Sequence, residues 1–283
     1  MQNRIELQRP KNKYTSFLIR YQPGTAKDLP LVSPFAFEAL RALKRSANDL
    51  RAISSAFLTD PFLAAKLCGV ANSIFFNLEH RHVLTIPEAI DRVGIDYASN
   101  LLLNAPASAF GESTAEATEY WAHCMTVSYA TREISALGSS SEWTPEAAAF
   151  LGLIHDIGYL VELHYNPQFM PDVLAAIRGN ERSPDNQTHC SLGESLSAFW
   201  SLPSVVQDAL RAHHDLERAT SVNGRRLAHL LRLADRVALQ APLTEAQDED
   251  AIRLLGLNRS DLDALYPKAS DIHRGFMDGT ARL

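Results

Sequence analysis

An adjacent histidine and aspartate, His155 and Asp156, interrupt the apolar segment LGLIHDIG, which covers residues 151–158. A carboxylate in such a segment is costly to bury unless it is paired or bound to a metal ion. A neighbouring imidazole nitrogen and carboxylate oxygen suit a divalent transition metal. Gly152 and Gly158 flank the pair and predict the close approach of a helix or a ligand. Since a structural role explains the dipeptide equally well, the other histidines must decide between these interpretations.

Further candidate ligands lie on separate predicted helices and are expected to face the interior. His213 continues an apolar stripe with the spacing i, i+3, i+4 and i+7, and His214 lies at the edge of that face. Asp235 borders the apolar stripe of a later helix. Glu119 lies four residues before His123, so both occupy one helical face. The predicted metal ligands are His123, His155, Asp156, His189, His213, His214 and Asp235, with Glu119 as an additional candidate.

Five helices would thus each carry an imidazole, a carboxylate or both towards the interior. A single inward histidine is more often a satisfied core residue, but each buried polar group of such a set needs its own partner. A metal centre satisfies all of them together. Mixed nitrogen and oxygen donors argue against calcium. We therefore expect one or two transition metal ions, iron or manganese first and zinc or nickel as alternatives.

Composition limits the class of protein. The 283 residues are 46% hydrophobic and 21% charged, as in globular proteins with a substantial core. A net charge of −6 argues against nucleic acid as a partner. No apolar run reaches the length of a membrane span, and the N-terminus does not resemble a secretory signal. The three dispersed cysteines, Cys68, Cys124 and Cys190, predict thiols in a reducing cytoplasm, and the last two are interpreted as small core residues.

The elements that must position these residues are predicted to be helices throughout, since no segment alternates long enough to form a sheet. Strong helix starts are predicted at Asp60-Pro61, Thr85-Ile86-Pro87-Glu88 and Thr144-Pro145. The helix that opens at Thr144 is expected to continue through His155 and Asp156. Other site helices are predicted at 115–137, 189–200, from Pro203 to His213, and 222–239, followed by a small closing helix at 254–265.

The order of the predicted ligands resembles that of the HD superfamily of metal-dependent phosphohydrolases. Over roughly residues 29–239 the chain is more narrowly similar to the HDOD (HD-related output domain) proteins of bacterial signalling. The segments that carry this resemblance are DPFL (60–63), ANSIF (71–75), IPEAI (86–90) with Gly94, LIHDIG (153–158), His189 with Gly193, and WSLP (200–203).

The resemblance implies an all-α, multi-helix bundle and a cytoplasmic role in signal transduction, with signalling proteins or a nucleotide as partners. The residues themselves predict a division of the chain, with a polar break at residues 111–114 between the two helical subdomains. The predicted parts are an irregular leader (1–30), an N-terminal helical subdomain (31–112), an HD-like metal-binding subdomain (113–241) and a C-terminal helical extension (242–283).

The ligand order is also similar to that of the HD-GYP cyclic-di-GMP phosphodiesterases, some of which place a metal-bridging glutamate where Glu119 falls. Two departures separate this chain from them, because their Gly-Tyr-Pro loop is absent and Tyr159 replaces a lysine. A tyrosine cannot supply the cation that lysine would place against a phosphate. Arg182, Arg211 and Arg236 are the candidates to replace it.

Three functions are compatible with the sequence. The first is a regulatory module with a metal centre and weak or no hydrolysis. The second is a metal-dependent phosphodiesterase or phosphohydrolase that acts on a nucleotide, such as a cyclic dinucleotide. The third is a helical scaffold without a metal. The sequence predicts no oligomeric state.

Overall fold

The computed structural model describes residues 50–103, 114–138, 143–179 and 188–279, and these residues form helices and no strand. The all-α prediction is therefore confirmed. The leader predicted for residues 1–30 lies outside the described residues. The α-helices are α1 (Leu50–Leu58), α2 (Pro61–Asn72), α3 (Ile86–Val93), α4 (Ile95–Leu103), α5 (Ala115–Leu137), α6 (Pro145–Ile154), α7 (Ile157–Tyr165), α8 (Met170–Ile177), α9 (Thr188–Phe199), α10 (Ser204–Ala212), α11 (Val222–Ala238), α12 (Ala246–Leu255), α13 (Arg259–Asp263) and α14 (Leu265–Met277).

The helices begin at the capping residues that the sequence predicts. The Asp60 side chain accepts a hydrogen bond from the Leu63 backbone N–H at 2.9 Å, and a proline follows the cap directly. Thr144 caps α6 in the same manner through the N–H of Ala147, at 3.2 Å. Such caps satisfy backbone donors that the first turn leaves without a partner.

The chain differs from prediction at the His-Asp pair, because one continuous helix was expected there. Instead, His155 ends α6 and Asp156 precedes α7 with φ −101° and ψ 17°. The backbone leaves the helical path for this one residue. Both side chains therefore lie at a junction between two helices, which gives them freedom to face one site.

The C-terminal prediction is wrong in its extent. Three helices, α12 to α14, replace the single small helix expected at 254–265. Glu245 and Asp248 form a capping box that starts α12, and Gly256 ends it with a left-handed φ of 66°. Asp248 is fully buried between Arg232 and Arg236, at 3.1 Å from each, so α12 is fastened to α11.

Helix α5 lies at the centre of the bundle and packs against α6, α8, α11 and α14. Helix α9 packs against α7 and α10, and α10 packs against α11. Asp208 of α10 accepts hydrogen bonds from the backbone N–H groups of Thr220 (2.9 Å) and Ser221 (2.8 Å), at the start of α11. These contacts fix the helices that carry the predicted ligands.

The N-terminal helices share the apolar core of the rest of the described chain. The rings of Phe62 and Trp200 meet edge to face at 5.2 Å, and Gly69 lies directly against Trp200. Among the described residues, no single helix has both the length and the apolar character of a membrane span. Helices α1 and α2, which meet at a bend of 116°, together have the length and composition of a span.

Two glycines beside the His-Asp pair allow helices to approach closely, as the sequence predicts. A Cβ atom at Gly152 would lie 2.8 Å from the carbonyl oxygen of Val127 in α5. A Cβ atom at Gly158 would lie 2.6 Å from the carbonyl carbon of His189 in α9. Both separations are far below ordinary van der Waals contact. The glycines thus bring the junction of α6 and α7 against the two helices that carry other candidate ligands.

Candidate metal centre

Five parts of the fold bring buried imidazoles and carboxylates together. His123 comes from the middle of α5, and His189 comes from the first turn of α9. His213 directly follows α10, and Asp235 lies in α11. With His155 and Asp156 from the α6–α7 junction, these residues converge on one buried cluster.

The carboxylate of Asp156 lies between two groups of histidines. Its Oδ2 atom is 3.2 Å from His155 Nε2 and 3.7 Å from His123 Nε2. Its Oδ1 atom is 3.3 Å from His189 Nε2 and 3.4 Å from His213 Nε2. We call the donors around Oδ2 the first half-site and those around Oδ1 the second half-site. Asp156 is common to both.

The first half-site is completed by Asp235. His123 Nε2 lies 3.3 Å from His155 Nε2 and 3.4 Å from Asp235 Oδ1. His123 Nε2 therefore lies within about one ligand-to-ligand distance of both a second imidazole and a second carboxylate. Two imidazoles and carboxylate oxygens form a donor set that suits a divalent transition metal.

Hydrogen bonds at the far side of two rings fix which nitrogen faces the cluster. His155 Nδ1 donates to the carbonyl of Gly152 at 2.8 Å, and His213 Nδ1 donates to the carbonyl of Leu210 at 2.8 Å. The Nε2 atoms therefore point inward, towards the cluster. Metal-binding histidines are usually oriented by such outer hydrogen bonds.

Two inward atoms of the cluster make no hydrogen bond of ordinary geometry within the described part of the chain. They are Asp156 Oδ1 and His213 Nε2, both fully buried and 3.4 Å apart. A buried carboxylate oxygen and a buried imidazole nitrogen without well-formed hydrogen bonds are costly, since most buried polar atoms are paired. A bound cation would satisfy both, so these residues fit the divalent metal that the sequence predicts.

Burial and neighbouring charges shift the pKa values of the first half-site. Burial, aided by the positive charge of His155, lowers the pKa of His123 to about 3. Burial alone would raise the pKa of Asp156, but the charge and hydrogen bond of His155, with those from the second half-site, hold it well below its ordinary value. Burial raises the pKa of Asp235. A neutral imidazole beside an ionised carboxylate is the protonation state that metal binding needs.

The second half-site contains a cysteine that the sequence reasoning assigned only to the core. Cys190 is buried as predicted, but its Sγ lies 3.5 Å from His189 Nε2. Burial alone would raise the pKa of this thiol, yet the charges of His213 and His189 lower it to about 6. Burial alone would lower the pKa of His189, whereas the Cys190 thiolate and the bond to Asp156 raise it to about 9.

His214 flanks the second half-site. Its ring centroid lies 4.1 Å from that of His213 and 5.1 Å from that of His189. The donor atoms of His189, Cys190, His213 and His214 all lie within 4.8 Å of one another. His214 is half-buried, and so it lies at the edge of the cluster, as the sequence predicts.

Two tyrosines contact the cluster. Tyr120, which the sequence reasoning missed, donates a hydrogen bond to the backbone carbonyl of Asp156 at 3.1 Å. Its position three residues before His123 was the available signal, because that spacing shares a helical face. The buried ring of Tyr159 stacks on His189 at 4.0 Å and 17°. Burial, with the charge of Asp156, raises the pKa of Tyr159, so its hydroxyl stays uncharged.

The structure does not bring Glu119 into this cluster. Both oxygens of its carboxylate accept hydrogen bonds from Arg178, at 2.6 Å each. Its assignment as an additional ligand remains a prediction.

Two of the three arginines named as substitutes for the missing lysine form ion pairs outside the cluster, and the third lies outside the residues that the structure describes. Arg211 pairs with Glu194 and Asp208. Arg236 pairs with Glu245 and Asp248. Arg182 lies outside the described residues.

Known proteins share this fold. The MmoQ response regulator of Methylococcus capsulatus str. Bath is 25% identical, with a TM-score of 0.67 over 84% of this chain and 98% of that chain. An HDOD domain protein of unknown function from Geobacter sulfurreducens is 17% identical and resembles the fold alone, with a TM-score of 0.50 over 95% and 97%.

A curated relative, an uncharacterized protein of Treponema pallidum (strain Nichols), is 27% identical over 205 residues. The match covers 68% of this chain but 39% of the relative, so the chain spans about two fifths of that protein's length. The model of the HDOD domain family matches residues 29–216, which is well over half of the chain. This chain therefore belongs to the HDOD domain family.

Proposed function

We propose that this chain is a cytoplasmic signal-transduction module built around a buried centre for one or two transition metal ions, with weak or no hydrolytic activity. It acts by binding other signalling proteins or a nucleotide. The observation that carries the proposal is the Asp156 carboxylate, whose two oxygens each face a pair of imidazole nitrogens at 3.2–3.7 Å. The likeness to MmoQ, a response regulator, favours a signalling role.

The predicted ligands would bind the metal in two groups. Asp156 would bind in both half-sites. His123, His155 and Asp235 would complete the first, and His189 with His213 would complete the second, with His214 at its edge as a further ligand. A divalent ion held there would supply Lewis acidity. The carbonyl of Gly152 would keep His155 Nε2 turned inward.

Weak turnover follows from the side chain that follows the His-Asp-Ile-Gly sequence. In related phosphodiesterases a lysine there faces the phosphate, whereas Tyr159 is buried, uncharged and stacked flat on His189. The Tyr159 ring therefore packs against His189 of the second half-site and offers no cation to a phosphate. Loss of one charge-assisted contact to a transition state typically costs about 10²–10³ in rate, by analogy with an oxyanion donor. Arg211 and Arg236 do not replace it, because carboxylates outside the cluster hold them.

The test is elemental analysis together with turnover, on protein purified without chelator or affinity metal. We expect one or two transition metal ions per chain in the wild type, and a large loss in Asp156→Ala. His229→Asn is the matched control, because His229 is a buried histidine on α11 outside the cluster. Metal-loaded wild type should cleave cyclic-di-GMP and a generic phosphodiester slowly or not at all.

Background metal in both wild type and His229→Asn would refute the metal centre. Robust wild-type turnover that disappears in Asp156→Ala would refute the regulatory assignment instead. A gain of turnover in Tyr159→Lys, with unchanged metal content, would support the role given to Tyr159.

The second candidate function is a metal-dependent phosphodiesterase or phosphohydrolase that acts on a nucleotide. The observation that favours it is the completeness of the predicted ligand set. The ligands from His123 to Asp235 follow one another in the sequence order of the active relatives that the chain resembles, and the structure brings their side chains together. Under this alternative, Asp156 and the histidines would keep their ligand roles. The same turnover assay separates the two candidates.

A further inference from the structure

The second half-site offers a sulfur donor in addition to its nitrogen and oxygen donors. Cys190 is 1% exposed, and its Sγ lies 3.5 Å from His189 Nε2. The fully buried atoms His213 Nε2 and Asp156 Oδ1 lie 3.4 Å apart in the same half-site, and neither makes a hydrogen bond of ordinary geometry within the described residues. A soft donor thus sits among atoms that need a cation.

The separations of three donor pairs match those around one tetrahedral ion. With zinc–sulfur and zinc–nitrogen distances of about 2.3 and 2.1 Å, a tetrahedral angle puts S and N about 3.6 Å apart. The observed separation of Cys190 Sγ and His189 Nε2 is 3.5 Å. Zinc-bound nitrogen and oxygen donors would be about 3.4 Å apart by the same geometry. Asp156 Oδ1 is 3.3 Å from His189 Nε2 and 3.4 Å from His213 Nε2.

We propose that the thiolate of Cys190 is a metal ligand of the second half-site, with His189, His213 and Asp156, and that this half-site selects zinc. The inference rests on the proposed metal centre and adds to it a donor and a metal preference. Thiolate ligands favour zinc over the harder ions that carboxylates accept, so the two half-sites differ in chemical character. The ligands must be a thiolate and neutral imidazoles, so the protons that these groups carry in the metal-free protein are released to solvent on binding.

The other two cysteines are also buried, but neither joins a group of potential metal donors among the described residues. Cys68 lies on α2 in the apolar core of the N-terminal helices and belongs to neither group of potential metal donors. Cys124 lies on α5 beside Tyr120 and also belongs to neither group. Cys68 is therefore the matched control for a substitution at Cys190, since both are fully buried thiols within a helix.

The test is titration of the metal-free full chain with Co(II), followed by competition with Zn(II). A thiolate ligand produces a sulfur-to-cobalt charge-transfer band in the near ultraviolet, whereas nitrogen and oxygen ligands give only the visible ligand-field bands. We expect both kinds of band in wild type and in Cys68→Ser. In Cys190→Ser the visible bands should remain and the charge-transfer band should be lost. Zinc affinity should fall at least about 10- to 100-fold, the range for even outer partners of a metal ligand.

The outcomes separate this inference from the proposal on which it rests. If wild type binds no cobalt, the metal centre itself is refuted and this inference falls with it. If wild type binds cobalt without a charge-transfer band, or if the band survives in Cys190→Ser, the role of Cys190 alone is refuted. Should Cys190→Ser not fold, the double variant Cys68→Ser/Cys124→Ser decides, because Cys190 is then the only cysteine in the chain. Retention of the band there supports the inference, and its absence overturns it.

Discussion

Gly158→Ala should disable the metal centre through packing, without replacing any ligand side chain. A Cβ atom at this position would lie 2.6 Å from the carbonyl carbon of His189 and 2.9 Å from the backbone nitrogen of Gly193, and closer still to the His189 carbonyl oxygen. Ordinary contact begins at 3.4 Å, so α7 and α9 must separate by at least about 0.8 Å. Metal–ligand distances tolerate about 0.2 Å, and His189 is attached to the backbone that must move.

We therefore expect two effects of Gly158→Ala. Overpacking should lower the free energy of unfolding of the metal-free protein by about 1–3 kcal/mol. At about 2–4 °C per kcal/mol for a chain of this size, its melting temperature should fall by about 2–12 °C. The rise in melting temperature that metal gives the wild type, because binding stabilises the folded state, should also shrink.

Gly193→Ala is the matched control on the facing helix. The nearest atoms to a Cβ at Gly193 are 3.8 Å away, so alanine fits there. Alanine is also the better helix former, which predicts a gain of about 0.5–1 kcal/mol. The assay is thermal unfolding of each variant with and without added metal. If Gly158→Ala melts like wild type and keeps the same metal content, the close approach of α7 and α9 does not control the site.

Two further predictions concern stability. Because burial lowers the pKa of His123 to about 3 from 6.5, the unfolded chain binds one more proton between these values. The stability contribution of His123 is fully present above pH 6.5 and is lost towards pH 3, by up to about 1.4 kcal/mol per pH unit. Urea unfolding of chelator-treated protein should show a shallower pH dependence in His123→Gln, whereas the exposed His82→Gln should behave like wild type. Asp208→Ala should lose about 3–5 kcal/mol, since Arg211 and the N–H groups of Thr220 and Ser221 lose their buried acceptor. Asp250→Ala, at an exposed ion pair, should stay within about 0.5 kcal/mol of wild type in the same experiment.

Local signals were sufficient to predict most helices and the residues of the cluster. Thr144 caps α6 through its own side chain, and the apolar stripe that ends at His213 fixes the inward face of α10. Both effects depend on residues within about two turns, so sequence spacing captures them. The break between His155 and Asp156 is different in kind. It lies beside Gly158, where α7 packs closely against α9, and this is a contact between distant segments.

Cys190 shows where helical periodicity misleads. Consecutive helical residues point about 100° apart, which suggested that Cys190 turns away from the site of His189. Both residues lie in the first turn of α9, however, and side chains of a helix tilt towards its N-terminus. A site beyond the end of the helix can therefore receive two neighbouring residues. Helical periodicity predicts which side chains share a face along a helix. It does not predict which side chains of the first turn contact a site beyond the helix end.

The attachment of α12 to α11 places support for the proposed centre outside the segment that matches the family model. Matching to the family model ends at residue 216, whereas Asp235 lies downstream in α11. Asp248 of α12 holds Arg232 and Arg236, which flank Asp235 on its own helix. The helix that carries Asp235 is thus held by residues beyond the segment that matches the family model. A comparison of family members for metal binding should therefore include residues through the end of α12, because the last predicted ligand and the ion pairs that hold its helix lie there.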